Sequence, residues 1–412
     1  METMQENANF IATKETRRNQ TNAMLAGFLG WTLDAFDFFI LTFVLATVAT
    51  DFNVTVPEMA LTLTASLVMR PVGALVFGLL SDRIGRKLPL MISIIFYSVM
   101  EILSGLAPNY QVFLALRFLY GVGMGGEWGV GASLVMETVS VKRRGLLSGL
   151  LQEGYAFGFL LAAAAYYFVF PKFGWRAMFF VGGLPALLTL FIRSKVKETE
   201  AWKANRSLNW KEYGNAIKKN WKLFLYLVLL MSMMNLISHG TQDLYPTFLQ
   251  KQKNFDPHET AVITMISMVG AILGGLFFGY LSDFYGRKKM MAIAVVLALL
   301  LIPLWLLAGG SVLIALGAFG MQFMVQGAWG IIPAHINELS PGPVRGFFPG
   351  FAYQLGVLIA AAVPYVEATL AENLGYATAM EIAAGSVLAV GAIIILAGPE
   401  ARGIHFHKVP AS

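Results

Sequence analysis

The stretch Gly78–Lys87, GLLSDRIGRK, returns as Gly279–Lys288, GYLSDFYGRK, so that Asp82 is matched by Asp283 at an offset of 201. The same offset carries Gly126, Trp128 and Gly129 onto Gly327, Trp329 and Gly330. It carries Glu137 onto Glu338, and Arg144–Gly145 onto Arg345–Gly346. A register held over this distance marks an internal duplication, and each copy is interspersed with long apolar runs. The first run extends from about Ala23 to Val48 and is too long for a signal-peptide core. Others follow near 59–80, 88–107, 111–136, 146–170, 176–193, 222–249, 260–281, 290–308, 311–337, 347–370 and 376–397. Each is long enough to cross a bilayer, which takes about 20 apolar residues in a helix. The spacing predicts an all-α membrane protein of twelve spans in two parallel six-helix repeats. Residues 1–193 form the first bundle, 194–220 a Lys- and Glu-rich linker, and 221–412 the second bundle.

Composition agrees with this reading. Of 412 residues 57% are hydrophobic and 13% charged, where a soluble domain has about half and about a quarter. There is no cysteine, which excludes disulfides, thiolate metal sites and a cysteine nucleophile. The net charge of +6 is a matter of topology. Of the 30 basic residues, only Lys172, Arg176, Lys251 and Lys253 lie in loops on one side, and Arg70 and Arg117 lie within spans. All the others fall in the termini and the even-numbered loops. Basic residues collect on the cytoplasmic side, so both termini are expected there, and no nucleic-acid partner is implied.

The paired G-x-x-x-D-x-x-G-R-K loops resemble the signature loop of the major facilitator superfamily, with Phe284 standing where a basic residue is usual. The Glu137…Arg144–Gly145 and Glu338…Arg345–Gly346 elements resemble it too. That resemblance implies a transporter whose halves rock about a midplane site. Asp82, Arg83, Arg86, Glu137, Arg144, Asp283, Arg287, Glu338 and Arg345 are expected to form its cytoplasmic gate. The plainer alternative is a set of topogenic charges.

Ionisable groups inside spans are costly and therefore functional candidates. They are Asp34, Asp37, Arg70, Glu101, Arg117, Glu127, Glu153, His239, Asp243, Glu367 and Glu381. In span 7, Asn235, His239 and Asp243 are four apart and share one helix face, with Ser238 and Gln242 beside them. Pro246 lacks an N–H and is expected to weaken the helix one turn earlier, near Gln242. A zinc site is not supported by two ligands, and no metal or cofactor is implied. Asn235, Ser238, His239, Thr241, Gln242, Asp243 and Thr247 match N-x-x-(S/T)-H-x-(S/T)-Q-D-x-x-x-T. This string resembles the signature of Jen-type lactate/pyruvate–proton symporters, within the sialate–proton symporter family. The resemblance implies that these residues serve substrate and proton translocation.

The offset sets Asp34 opposite Asn235 and Asp37 opposite Ser238, so spans 1 and 7 are expected to line the cavity together. Arg117 opens Arg-x-x-x-Gly-x-Gly, a pattern seen in proton-coupled sugar porters, and is expected to pair with Asp34 or Asp37. Arg70 has no acid one turn away; it either binds a substrate carboxylate through its planar fork or pairs with Glu101 or Glu127. Gln152, Tyr155 and Gln354 are candidates for further substrate hydrogen bonds, and no uniform aromatic sugar pocket is evident. His335 falls on the gate side of span 10.

The expected function is proton-coupled symport of a small monocarboxylate such as lactate or pyruvate. Asp34, Asp37, Arg117, His239 and Asp243 would serve the proton, and Arg70, Asn235 and His239 the substrate. A sialic-acid or sugar-acid symporter is the alternative, and a transporter-like sensor without turnover is the alternative of another class. An enzyme is not expected. The protein is expected to be a monomer in a bacterial inner membrane, its partners being the carboxylate, protons and lipid.

Overall fold

The computed structural model describes residues 2–205 and 210–406, which are almost wholly helical. Ten helical stretches are long and apolar enough to cross a membrane. Two more complete the twelve: Tyr110–Thr138, whose apolar run carries Arg117 and Glu127, and the broken pair Phe348–Ala360 and Val363–Leu374. In chain order, spans 1–4 are Glu2–Asp51, Val56–Ile84, Lys87–Gly105 and Tyr110–Thr138. Span 5 is Arg144–Gln152 followed by Gly154–Phe168, and span 6 is Phe170–Val181 followed by Pro185–Lys195. Span 7 is Trp221–Gln242 and Tyr245–Lys251, span 8 Pro257–Tyr285, and span 9 Arg287–Ile302 with a π turn at Pro303–Leu307. Span 10 is Ser311–Leu339, span 11 the broken pair, and span 12 Tyr376–Ala397.

The duplication is visible in how the helices start and stop. Thr55 caps span 2 by accepting from the Glu58 N–H, and Asp256 caps span 8 by accepting from the Glu259 N–H. Both are short oxygen-bearing residues of the kind that satisfy a free helix-end donor. Each cap follows an Asn in the left-handed region, Asn53 and Asn254, both with φ 58°. Spans 2 and 8 end at Gly85 and Gly286, both with φ 105°, a conformation that side chains resist. All three pairs keep the offset of the sequence repeat.

Leu75, Val76, Ile92, Leu161, Val269, Leu273 and Ile393 are exposed on the outside of the bundle, while the intramembrane charges face inward. Such a surface suits lipid, in which every backbone polar group is satisfied within its own helix. The two bundles meet along glycine seams. A Cβ on Gly129 would strike the Gly350 backbone, one on Gly149 the Gly275 carbonyl, and one on Gly145 the Gly279 carbonyl. Small residues allow this close approach of helices from opposite halves. One face of the bundle carries the 2–3 and 8–9 turns and the linker helices Glu200–Asn205 and Trp210–Lys219. It is termed the linker face, and the opposite one the far face.

Candidate functional site

At the linker face each bundle gives a carboxylate to the other. Asp82 accepts from the N–H groups of Gly346 (2.7 Å) and Phe347 (3.1 Å). Asp283 accepts from those of Gly145 (2.8 Å) and Leu146 (3.1 Å). Arg86 holds Asp82 and Glu137, while Arg287 holds Asp283 and Glu338. Two pairs then cross between the bundles: Arg144 to Glu338 at 2.9 Å and Arg345 to Glu137 at 3.6 Å. Asp82, Arg86 and Glu137 have no exposed side-chain surface. Asp82, Arg86, Glu137, Arg144, Asp283, Arg287, Glu338 and Arg345, all expected gating residues, take part in this clasp of contacts, and Arg83 is half-buried.

The sequence reading missed further parts of the clasp. Tyr213 donates to Asp82 (3.0 Å), Trp202 Nε1 donates to the Asp82 carbonyl (2.8 Å), and Thr199 donates to Glu137. Burial, then the Asp82 carboxylate beside it, pushes the Tyr213 hydroxyl up, which keeps it a donor. Glu198 accepts from the Lys87 N–H, and Glu400 from the Arg287 and Lys288 N–H groups. Burial raises the Glu400 carboxyl, but the N–H groups of Arg402, Arg287 and Ala401 outweigh it and hold it below its ordinary value. The Phe406 ring lies under the guanidinium groups of Arg144 and Arg345 at 4.0 and 3.9 Å. A closer look for a second Glu about 201 residues on would have found Glu198 and Glu400, which are one residue out of register.

Inside the first bundle four carboxyl groups face two guanidinium groups. Arg117 on span 4 pairs with Glu101 on span 3 at 2.8 Å and donates to Ser104 one turn further on. This corrects the expected pairing of Arg117 with Asp34 or Asp37. Spans 3 and 4 pack side by side, so the acid on the neighbouring helix reaches Arg117 directly. Arg117 also lies over the Tyr120 ring at 4.2 Å. Arg70 is nearest to Asp34, at 3.7 Å, and not to Glu101 or Glu127. Its Nε is buried without a hydrogen-bond partner, and its guanidinium stands 5.5 Å from the Phe38 ring centroid. Asp37 and Glu127 are fully buried, and none of their carboxyl oxygens is hydrogen-bonded. Asp37 and Glu101 both flank Gly182, and Glu127 presses on Gly30.

In the second half of the chain, span 7 breaks after Gln242 and resumes at Tyr245, as Pro246 leads one to expect. His239 Nδ1 lies 3.0 Å from Asp243 Oδ2, and these side chains remain 36% and 31% exposed. Ser238 accepts from Gln326 (3.2 Å), while Gln242 donates to Gln322 (2.7 Å), which ties span 7 to span 10. Asn235 does not share the exposure of His239 and Asp243. It is buried, donates to the Met231 carbonyl in its own helix and abuts Gly356 of span 11. The first member of the four-residue stripe is therefore packing.

A layer of rings that the sequence did not suggest joins the two halves. Tyr353 meets Trp128 at 4.4 Å, Trp329 at 5.9 Å and Trp31 at 6.3 Å between centroids. Trp31 stacks on Tyr155 at 5.8 Å, and Phe39 meets Tyr155 edge-on. Trp128 and Trp329 were legible as repeat mates, but their meeting around Tyr353 was not. Gln152 accepts from Trp31 through its carbonyl and from Trp128 through its side chain. The Gln354 Oε1 is buried without a partner. The structure thus brings Arg70 to Asp34 and sets Tyr155 against Trp31 and Phe39. Among the described residues, no group of three or more His, Cys, Asp or Glu could hold a metal ion.

Residues 3–412 match the family model described as Sugar (and other) transporter. The chain is 30% identical to a carboxylic acid transporter protein homolog of Saccharomyces cerevisiae, over 94% of this chain and 68% of that protein. It is 28% identical to the sialic acid transporter NanX of Escherichia coli, over 93% of this chain and 94% of that protein. Among solved structures, the proton:xylose symporter XylE of the major facilitator superfamily superposes with a TM-score of 0.76 at 18% identity, covering 93% of this chain and 97% of that one.

Proposed function

From the premise that the chain belongs to the sugar (and other) transporter family and has the major facilitator fold, we propose that it carries a small monocarboxylate such as lactate or pyruvate together with a proton, by alternating access. The observation that carries this reading is Arg70. It is a buried guanidinium whose nearest anion is 3.7 Å away and whose Nε has no partner. A substrate carboxylate would take the fork in a bidentate contact, and Asp34, relieved of its cation, would accept the proton. Two unpaired charges in an apolar interior are costly. Binding both ligands together avoids that cost, which is the physical basis of coupling.

His239 and Asp243 would relay the proton from the far face, with Asp37 as a further acceptor and Arg117 as its charge neighbour. Gln152, Tyr155 and Gln354 would orient the substrate, with Asn235 supporting span 7 from behind. In this reading the linker face is cytoplasmic, both termini lie there, and the bundle stands outward-facing with its inner gate shut. One anion moving with one proton is electroneutral, so each unit of pH gradient contributes about 1.4 kcal/mol. The protein would act as a monomer in a bacterial inner membrane.

The ring layer favours a second reading. Trp31, Trp128, Trp329 and Tyr353 form a floor on which a sugar ring could stack, which suits a sialic or other sugar acid. Purified protein in liposomes, given labelled lactate, pyruvate, acetate or sialate with the outside acidified, separates the two. Accumulation of lactate or pyruvate supports the first reading. Accumulation of sialate alone supports the second, and accumulation of none defeats both.

A further inference from the structure

Glu153 interrupts span 5, between Arg144–Gln152 and Gly154–Phe168. It is 4% exposed, and its Oε1 is buried without a hydrogen-bond partner. Its carboxyl presses on Gly275 of span 8, so closely that a Cβ on that glycine would overlap Oε1. Gly275 also receives Gly149 and Gly330, so Glu153 stands at one end of the seam joining spans 5, 8 and 10. The two bundles separate along this seam in any rocking motion.

We infer that Glu153 is a proton-binding group of the transport cycle, lodged against Gly275 when neutral and leaving it when charged. This rests on the proton-coupled reading above. Span 8 meets Glu153 with Gly275, and span 10 adds the Gln326 carbonyl and Gly330 around the same glycine. Span 1 meets the neighbouring Gly154 with Thr32 and Trp31. No arginine, lysine or histidine pairs with Glu153 among the described residues. Of the buried carboxyl groups, Asp34 has Arg70 and Glu101 has Arg117, whereas Glu153 is in no such pair and lies against Gly275. A charged form is costly in such a place. The neutral form fits it, and the charged form gains by reaching water as the seam opens.

The duplication supplies an internal comparison. The position equivalent to Glu153 is Gln354, itself 1% exposed with an unpartnered Oε1. One repeat therefore works with a neutral isostere at this position, so the carboxyl is not required to fill the space. What Glu153 adds over Gln is the ability to take up and release a proton.

The test is Glu153→Gln in liposomes, with two readouts on labelled lactate. One is accumulation driven by an acid exterior, and the other is counterflow exchange at equal pH. With the exterior one pH unit more acid, the expected result is that accumulation falls about tenfold, the ratio that gradient sustains for one proton, while counterflow persists. Glu153→Asp, which retains a titrating group, should keep part of the accumulation. Undiminished accumulation in Glu153→Gln would overturn the inference, as would loss of counterflow together with accumulation, which marks a packing role. If the unmodified protein accumulates nothing with pH yet exchanges lactate, the symport reading fails, and this inference with it.

Discussion

Arg70 and Glu400 show what a single side chain decides. Arg70 presents a planar fork, and lysine presents a point charge. Arg70→Lys is therefore expected to weaken lactate binding about tenfold to a hundredfold, the range of one charge-assisted hydrogen bond. KM for uptake is the measurement, and an unchanged KM would make Arg70 merely the partner of Asp34. Glu400 tethers the start of span 9 to the C-terminal segment, with its carboxyl held below the ordinary value of 4.5. A depressed carboxyl stabilises the fold fully above its ordinary value and loses that effect as pH falls through the folded one. The melting-temperature gap between the protein and Glu400→Gln should thus be complete at neutral pH and shrink as pH falls below 4.5. A gap independent of pH would refute this. At this scale the sequence was informative about which residues matter, because a charge in an apolar run stands out. It named other partners: Arg117 took Glu101, and Arg70 took Asp34, because lateral packing of helices sets the pairs.

Individual helices were more legible than their contacts. The offset of 201, read from the loops, also holds for pairs that only the structure singles out: Asn53 and Asn254, the caps at Thr55 and Asp256, and Gly85 and Gly286. The break in span 7 followed from Pro246. The ring layer did not follow from any local pattern, since Trp31, Trp128, Tyr155, Trp329 and Tyr353 come from five spans. Gly346 opens span 11 directly beneath the clasp. A Cβ there would meet Ser81, Arg86 and Asp82. Gly346→Ala is expected to spread the linker-face end of span 11 from span 2. A cysteine introduced near that seam should react faster with a polar maleimide in this variant, and an unchanged rate would count against the clasp as the closing element.

For the molecule as a whole, the two carboxylate clasps act in parallel and are equivalent by the duplication. Asp82→Asn with Asp283→Asn should therefore loosen the linker face more than either change alone, because each single variant leaves one clasp intact. Spin labels on the two bundles at the linker face would report this as a longer distance population, and identical distances in the double variant would contradict it. The helical membrane fold of twelve spans was readable from the chain. The linker was not: Trp202 and Tyr213 bind Asp82, so a segment that looked like a tether is part of the lock.

The partners of Asp82 and Asp283 are main-chain amides at Gly346, Phe347, Gly145 and Leu146, and an amide N–H is the same whatever side chain it bears. For Phe347 and Leu146, mutation on the receiving side is therefore nearly invisible to the lock, provided the backbone keeps its path. Random mutagenesis should find more tolerated changes at Leu146 than at the aspartates, while Phe347 is held by its own ring packing on Phe224 and Phe351. Suppressors of an aspartate loss would have to arise elsewhere, in side chains such as those of the Arg144–Glu338 and Arg345–Glu137 pairs. The identity of the clasp is thus concentrated in its acids and in the two glycines that receive them.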